Sequence, residues 1–258
     1  LKKILTILLT AVICLAFVIE PATVEYDVPP PVFEPVSVSP ALSGEAVSIP
    51  GPGLADSEEP AAEEEPAVFS YGPLPEEIRL LISGCSWQED APVTLDELSY
   101  LTITHYTLEG GVARGELIVN SLLAEEVTEI FKELYLAEYP IAKIKLVDHY
   151  GGSDDLSMAD NNTYSFCYRT ISGSAILSQH SYGASIDINP IQNPYLRKGT
   201  AYPEEAAAYK DRGHVRTGMI TEGDACYNAF VSRGWEWGGH WVEPIDYQHF
   251  QKNIEVFK

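Results

Sequence analysis

The feature that most constrains this chain is a change of composition near residue 75. Residues 21–75 hold twelve of the eighteen prolines and ten Asp or Glu, with no Lys or Arg. P-P-P at 29–31 and E-E-P-A-A-E-E-E-P at 58–66 carry neither a helical nor a strand period. Such a tract cannot bury enough apolar surface to offset the entropy of ordering it. It reads as a disordered, semi-stiff linker, and a chain starting near Tyr71 is expected to keep full activity. As a flexible coil the tract spans roughly 40 Å, and proline and charge repulsion lengthen it. The folded matter is expected in residues 76–258, a length that suits one compact domain.

Upstream of the linker, Lys2 and Lys3 precede Ile4–Ile19, sixteen residues without a charge. A short basic start before an apolar run is the pattern of a signal peptide or membrane anchor, and residues 1–20 are read that way. A buried core helix is the plainer alternative, disfavoured by the lysine flank and by the tract that follows. The main body is therefore expected outside the cytoplasm, secreted or tethered through its N-terminus, and monomeric. The formal net charge of −22 argues against a nucleic-acid partner, because backbone phosphates require a basic face. Cys14 lies in the apolar run. Cys85, Cys167 and Cys226 match no zinc knuckle and no C-x-x-C motif, and are read as small buried residues. A Cys85–Cys226 bridge stays open.

Patterning in the second part mixes helices and strands without regular alternation, which points to the α+β class. A short helix is expected from Glu76, and a capping box at Thr94–Glu97 opens another turn. Residues 99–107 and 112–119 read as strands around Gly110-Gly111. Ser121 precedes a helix with Leu123, Val127, Ile130, Phe131 and Leu134 on one face, ended by Pro140. Residues 141–148 alternate as a strand does. Helices are expected over 204–210 and from the cap Thr221-x-x-Asp224 to just before Gly234, and Tyr247–Phe250 reads as β-like.

Two segments carry the chemistry: S-Q-H-S-Y-G-A-S-I-D at 178–187 and G-W-E-W-G-G-H-W-V-E-P-I-D-Y-Q-H-F at 234–250. Catalytic zinc sites use three protein ligands, often two His and one carboxylate, with one position left open. His180, Asp187 and His249 supply that set. Seven residues fully extended cover roughly 23 Å, so the chain must double back between His180 and Asp187, and Gly183 is suited to the bend. Asp246, three residues before His249, falls beside it on a helical or tight turn and is placed to take a proton from a water. Read from spacing alone, H-x6-D and D-x-x-H equally suit a solvated turn or a buried hydrogen-bonded pair.

With those residues in view, the chain resembles the zinc D-alanyl-D-alanine carboxypeptidase family, which includes vancomycin-resistance D,D-carboxypeptidases and phage L-alanyl-D-glutamate endopeptidases. The family carries S-x-H-x-x-G-x-A-x-D and, later, E-x-x-H or D-x-x-H. Ser178, His180, Gly183 and Asp187 match the first motif, with Ser185 where the family usually has Ala. Asp246 and His249 match the second. The stretches D-D-L-S-M-A-D-N-N-T-Y-S-F-C-Y-R, I-N-P-I-Q-N-P-Y and W-G-G-H-W also look like one branch of it.

The resemblance covers roughly 76–258. It implies a single catalytic domain of the Hedgehog/DD-peptidase fold and one zinc ion per chain, held by His180, Asp187 and His249. It implies Asp246 as general base and Arg169 as the arginine that steadies the substrate carbonyl or its oxyanion. Family members often read F-N-C-R where this chain reads F-C-Y-R. Ser178 is implied to touch substrate or to orient the ligand loop. His240 is read as a rim residue, and His105, His149 and His214 as structural or exposed. The implied activity is hydrolysis of peptidoglycan stem peptides, as a D-alanyl-D-alanine carboxypeptidase. Two alternatives are an endopeptidase of the L-alanyl-D-glutamate type and a zinc-bearing binding or signalling module without catalysis, like the related Hedgehog domain.

Overall fold

The computed structural model describes residues 66–254. The apolar run, Cys14 and most of the linker lie outside the described residues. Among the described residues, four α-helices and nine strands follow in chain order. They are β1 (Phe69–Pro73), α1 (Glu76–Ile82), β2 (Leu98–Tyr106), β3 (Val112–Asn120), α2 (Ala124–Leu136), α3 (Asp154–Ala159), β4 (Ser185–Asp187), β5 (Tyr195–Arg197), β6 (Thr200–Tyr202), α4 (Ala225–Val231), β7 (Glu236–Trp237), β8 (Ile245–Asp246) and β9 (His249–Gln251). Short 3-10 turns fill several connections. The mixture of helix and antiparallel sheet is the α+β class read from the patterning.

The strands make three antiparallel sheets, ordered β1-β2-β3, β4-β9-β7 and β6-β5-β8. The first is a meander. Leu101 and Ile103 of β2, with Leu117 and Val119 of β3, face the main core, where α2 buries Val127, Ile130, Phe131 and Leu134. Strand periodicity turns Leu98 and Ile118 to the opposite face. There they pack with Ile82 of α1, Leu146 and Phe166 in a second, smaller core. This sheet is thus covered on both faces, and its hydrophobic runs read accordingly.

Several expectations shift at their edges. β1 lies inside the stretch whose composition reads as linker. Phe69 there packs edge-on against Tyr135 of α2 at 5.5 Å between ring centres, and Val68 N–H donates to Thr104 Oγ1 at 2.7 Å. An average over 55 residues hides one amphipathic strand at its end. A chain begun at Tyr71 cuts β1, whereas one begun at Pro66 keeps it whole. α2 is entered through a 3-10 turn whose cap is Asn120, its side chain accepting from Leu122 N–H at 3.1 Å. α4 is capped by Asp224 rather than Thr221, the Asp224 carboxylate accepting from Tyr227 N–H at 2.7 Å. The 204–210 segment is 3-10 over Glu204–Tyr209.

Residues 141–148 form no strand. Their alternation arises because Ile141, Ile144 and Leu146 reach into two different cores while the backbone runs irregularly. The carbonyl of Ile144 instead accepts from Glu116 N–H of β3 at 3.2 Å, and Ile144 bridges to Thr163. This crossing is possible because position 115 is glycine. A Cβ there would stand 2.7 Å from the Ile144 carbonyl oxygen and closer still to its Cβ. Gly115→Ala is therefore expected to cost about 1–3 kcal/mol, the usual scale for overpacking. Urea unfolding reads this as a lower midpoint at unchanged slope, and an unchanged midpoint would refute the close approach.

Candidate metal centre

The site is assembled by the β4-β9-β7 sheet and the turn before it. Asp187 ends β4, His249 begins β9, and the two are directly opposite in the antiparallel register. Opposed residues on one sheet face bring their Cβ atoms to about 5 Å. His249 Nδ1 accordingly lies 2.8 Å from Asp187 Oδ1. On its other side the Asp187 backbone pairs with Tyr164, Asp187 N–H donating to the Tyr164 carbonyl at 3.0 Å.

His180 arrives from the 3-10 turn Gln179–Tyr182, which Gly183 closes in the left-handed region at φ 64°. The bend expected between the two ligands is therefore at Gly183. A Cβ at that position would stand 2.5 Å from Asn120 N and 2.9 Å from the Val119 carbonyl carbon. The space is needed, since Asn120 N–H donates to the Gly183 carbonyl at 2.9 Å and ties the turn to β3. Ser178 Oγ accepts from His180 N–H at 3.3 Å, so this buried hydroxyl orients the ligand turn. Ser185 is buried, and its Oγ has no hydrogen-bond partner, so nothing among the described residues uses the hydroxyl where the family has Ala.

His180, Asp187 and His249 are buried, and one ligand atom from each lies within 4.8 Å of the others. The Ser165 carbonyl, which can only accept, takes the Nδ1 proton of His180. That leaves Nε2 with its lone pair toward the site. Nε2 is 3.2 Å from Asp187 Oδ2, yet out of line for a hydrogen bond, and it is buried without a partner. A fixed tautomer and an orphaned nitrogen beside a carboxylate are what a divalent cation with N/O ligands requires. The donor set thus fits zinc.

Burial alone would raise the Asp187 carboxyl, but His180 and His249 against its two oxygens hold it well below the usual carboxylate range. Burial opposes a charge on His249, and Asp187 beside it nevertheless raises the imidazole.

Asp246 sits at the end of β8, and Tyr247-Gln248 make the tight turn into His249. Its Oδ1 is buried without a partner. Burial first, then the negative charge of Asp187, push its carboxyl up to about 7. Arg169 lies in the same neighbourhood. Its Nη2 donates to Tyr164 Oη at 3.1 Å and pairs with Asp154 Oδ2 at 3.0 Å, while its Nε is buried without a partner. The Tyr164 ring stacks on His180 at 4.8 Å.

His240 is exposed, its Nε2 2.9 Å from Glu222 Oε1. His105 is buried, with Nδ1 at 3.2 Å from the Tyr106 carbonyl, while His149 and His214 stand outside the centre. Cys85, Cys167 and Cys226 are free thiols, the last two buried, and Cys85 and Cys226 form no bridge.

Sequence reasoning gave no role to Ser165, Tyr164 or Asp154. Ser165 acts through its carbonyl, which any residue could provide. Tyr164 and Asp154 lie in the stretch that carries part of the family resemblance, where only their type was noted. The Gly183 bend yields a direct test. Gly183→Ala combines a left-handed backbone with a clash against β3, and is expected to cost about 2–4 kcal/mol. The effect is read as a drop in thermal midpoint of the metal-free protein, and a variant as stable as the parent would show that the turn is not held this way.

Residues 172–252 match a family model described as D-alanyl-D-alanine carboxypeptidase. No curated protein and no solved structure gives a significant match. The matched stretch contains Ser178, His180, Gly183, Asp187, Asp246 and His249, and stops short of Arg169. Motif and match agree: residues 172–252, which hold both signature segments, are similar to the D-alanyl-D-alanine carboxypeptidase family.

Proposed function

We propose that this protein is a zinc-dependent peptidase that hydrolyses peptidoglycan stem peptides, acting as a D-alanyl-D-alanine carboxypeptidase. The observation that carries the reading is the buried His180–Asp187–His249 group with its orphaned His180 nitrogen, lying within the family match. Its substrate lies outside the cytoplasm, which accords with an exported body behind an N-terminal signal or anchor. No helix among the described residues is long and apolar enough to cross a membrane.

His180, Asp187 and His249 would hold a zinc ion, which when bound would supply Lewis acidity to a water and to the scissile carbonyl. The chain's own residues do the rest. Asp246, half-buried and raised toward neutrality, accepts the proton that the attacking water loses. The water oxygen bonds to the amide carbon, the C–N bond breaks, and Asp246 returns the proton to the leaving amine. Arg169, anchored by Asp154 and Tyr164, offers its remaining N–H to the carbonyl oxygen as negative charge develops there. Ser178 holds the His180 turn and stays off the substrate. An orphaned carboxylate beside the ligands favours catalysis over a purely binding role.

Two measurements test this. The purified chain, incubated with a pentapeptide stem, is expected to release free D-alanine by mass spectrometry and to stop when a chelator is added. Cleavage that persists without metal, or no cleavage of any stem bond, refutes the reading. Asp246→Asn keeps the shape without the base, so zinc content should stay near one per chain while turnover falls about 10²-fold or more. Asp187→Asn should instead lose the metal. The reverse pattern would exchange the two roles.

A further inference from the structure

The β4-β9-β7 sheet carries a line of polar side chains that continues past the metal ligands. His249 and Gln251 are two apart on β9 and share a face. Glu236 of β7 is directly opposite Gln251 in the register. Gln251 Nε2 donates to Glu236 Oε2 at 3.0 Å. A carboxylate only accepts, so this bond fixes which end of the Gln251 amide faces which neighbour. Its Oε1 then points at His249 Nε2, 3.2 Å away. An amide oxygen also only accepts, so His249 must carry its proton on Nε2. Nδ1 faces Asp187 Oδ1 at 2.8 Å. A proton shared there pairs the two in the absence of a cation, and a cation bound at the site would take its place on the Nδ1 lone pair.

Glu236 is engaged a second time. Its Oε1 accepts from Trp241 Nε1 at 2.5 Å, and the Trp241 ring lies against the His249 ring at 5.4 Å between centres. The circuit therefore closes: one exposed carboxylate holds both the amide that orients His249 and the indole that covers it.

We propose that Glu236 and Gln251 are positioning residues that lock His249 as the Nε2–H tautomer for ligation through Nδ1, with Glu236 also pinning Trp241 over that ligand. The inference rests on the reading of the site as a metal centre. Neither residue belongs to the two signature motifs, and neither touches the ligand atoms. Their effect reaches the metal through the ring orientation and basicity of His249, which a hydrogen bond to the far nitrogen controls.

The test is zinc affinity of the full chain, measured by chelator competition with zinc alone and no substrate. Gln251→Met keeps length and removes the acceptor, and should weaken binding by about 10- to 100-fold, the range for loss of such a partner. Gln251→Glu combined with Glu236→Gln exchanges acceptor and donor, keeps an acceptor for Nε2–H, and should bind close to the parent, a rescue that a merely structural role for Gln251 would not give. Glu236→Leu, at the exposed end of the circuit, should weaken binding in the same direction by less, and should change the Trp241 contribution to the fluorescence. If Gln251→Met does not fold, Glu236→Leu carries the test. A parent that binds zinc while Gln251→Met and Glu236→Leu bind as tightly overturns this proposal alone, as does the exchanged pair Glu236→Gln, Gln251→Glu binding as weakly as Gln251→Met. A parent that binds no zinc overturns both this proposal and the metal reading beneath it.

Discussion

A buried carboxylate facing two imidazoles across a pair of very short strands is the interaction on which the functional half of this molecule depends. Asp187 is 2% exposed, and a charge so placed is costly unless it is paired. Here the pairing is made by strand register, because Asp187 and His249 are opposed residues of β4 and β9. Each of those strands has three residues, too few to persist alone. They persist because the same backbone segments carry core side chains on their other face. Ile186 and Phe250 point into the main core, where Phe250 stacks on Phe230 of α4 at 4.2 Å. The period of two thus couples ligand geometry to apolar packing residue by residue.

That coupling explains why the large sheet matters to a site it barely touches. The β1-β2-β3 meander and α2 form the wall against which the His180 turn is braced. Asn120, the last residue of β3, does three things there. Its N–H bonds Gly183, its Nδ2 donates to the Tyr182 carbonyl at 3.1 Å, and its Oδ1 caps the turn into α2. The position of His180 is therefore set by the end of a long, doubly covered strand, and the position of Asp187 by a small sheet lying next to it. Rigidity in the scaffold becomes precision among the three ligand atoms.

What could be read from the residues alone follows the same division. The β2–β3 hairpin, α2 and α4 were legible because their burial is periodic and local. The grouping of His180, Asp187 and His249 was legible through the family motifs that carry them, and the bend at Gly183 because residues so spaced can meet only through a reversal. β1 was hidden by the composition of its neighbours. The alternation at 141–148 misled, because it reports burial in two cores and not a ladder. Ser165 was unreadable in principle, since it works through a backbone carbonyl. Arg169, Asp154 and Tyr164 meet through folding, at separations that no local pattern marks.

The orphaned atoms tie these threads together. Arg169 Nε, His180 Nε2 and Asp246 Oδ1 are each buried without a partner, and each belongs to the same small region. Leaving a buried polar atom unsatisfied costs about 1–3 kcal/mol. Three in one place are unlike the core around them, where Asn162, Asn189 and Asn193 use their side-chain amides fully on backbone and side-chain partners. Ser185 Oγ and Gln248 Oε1, beside the same strands, are also unpaired, but a nitrogen lone pair, a guanidinium N–H and a carboxylate oxygen left unspent together are the three kinds of contact that amide hydrolysis uses: a ligand for a cation, a donor for a developing oxyanion and an acceptor for a proton.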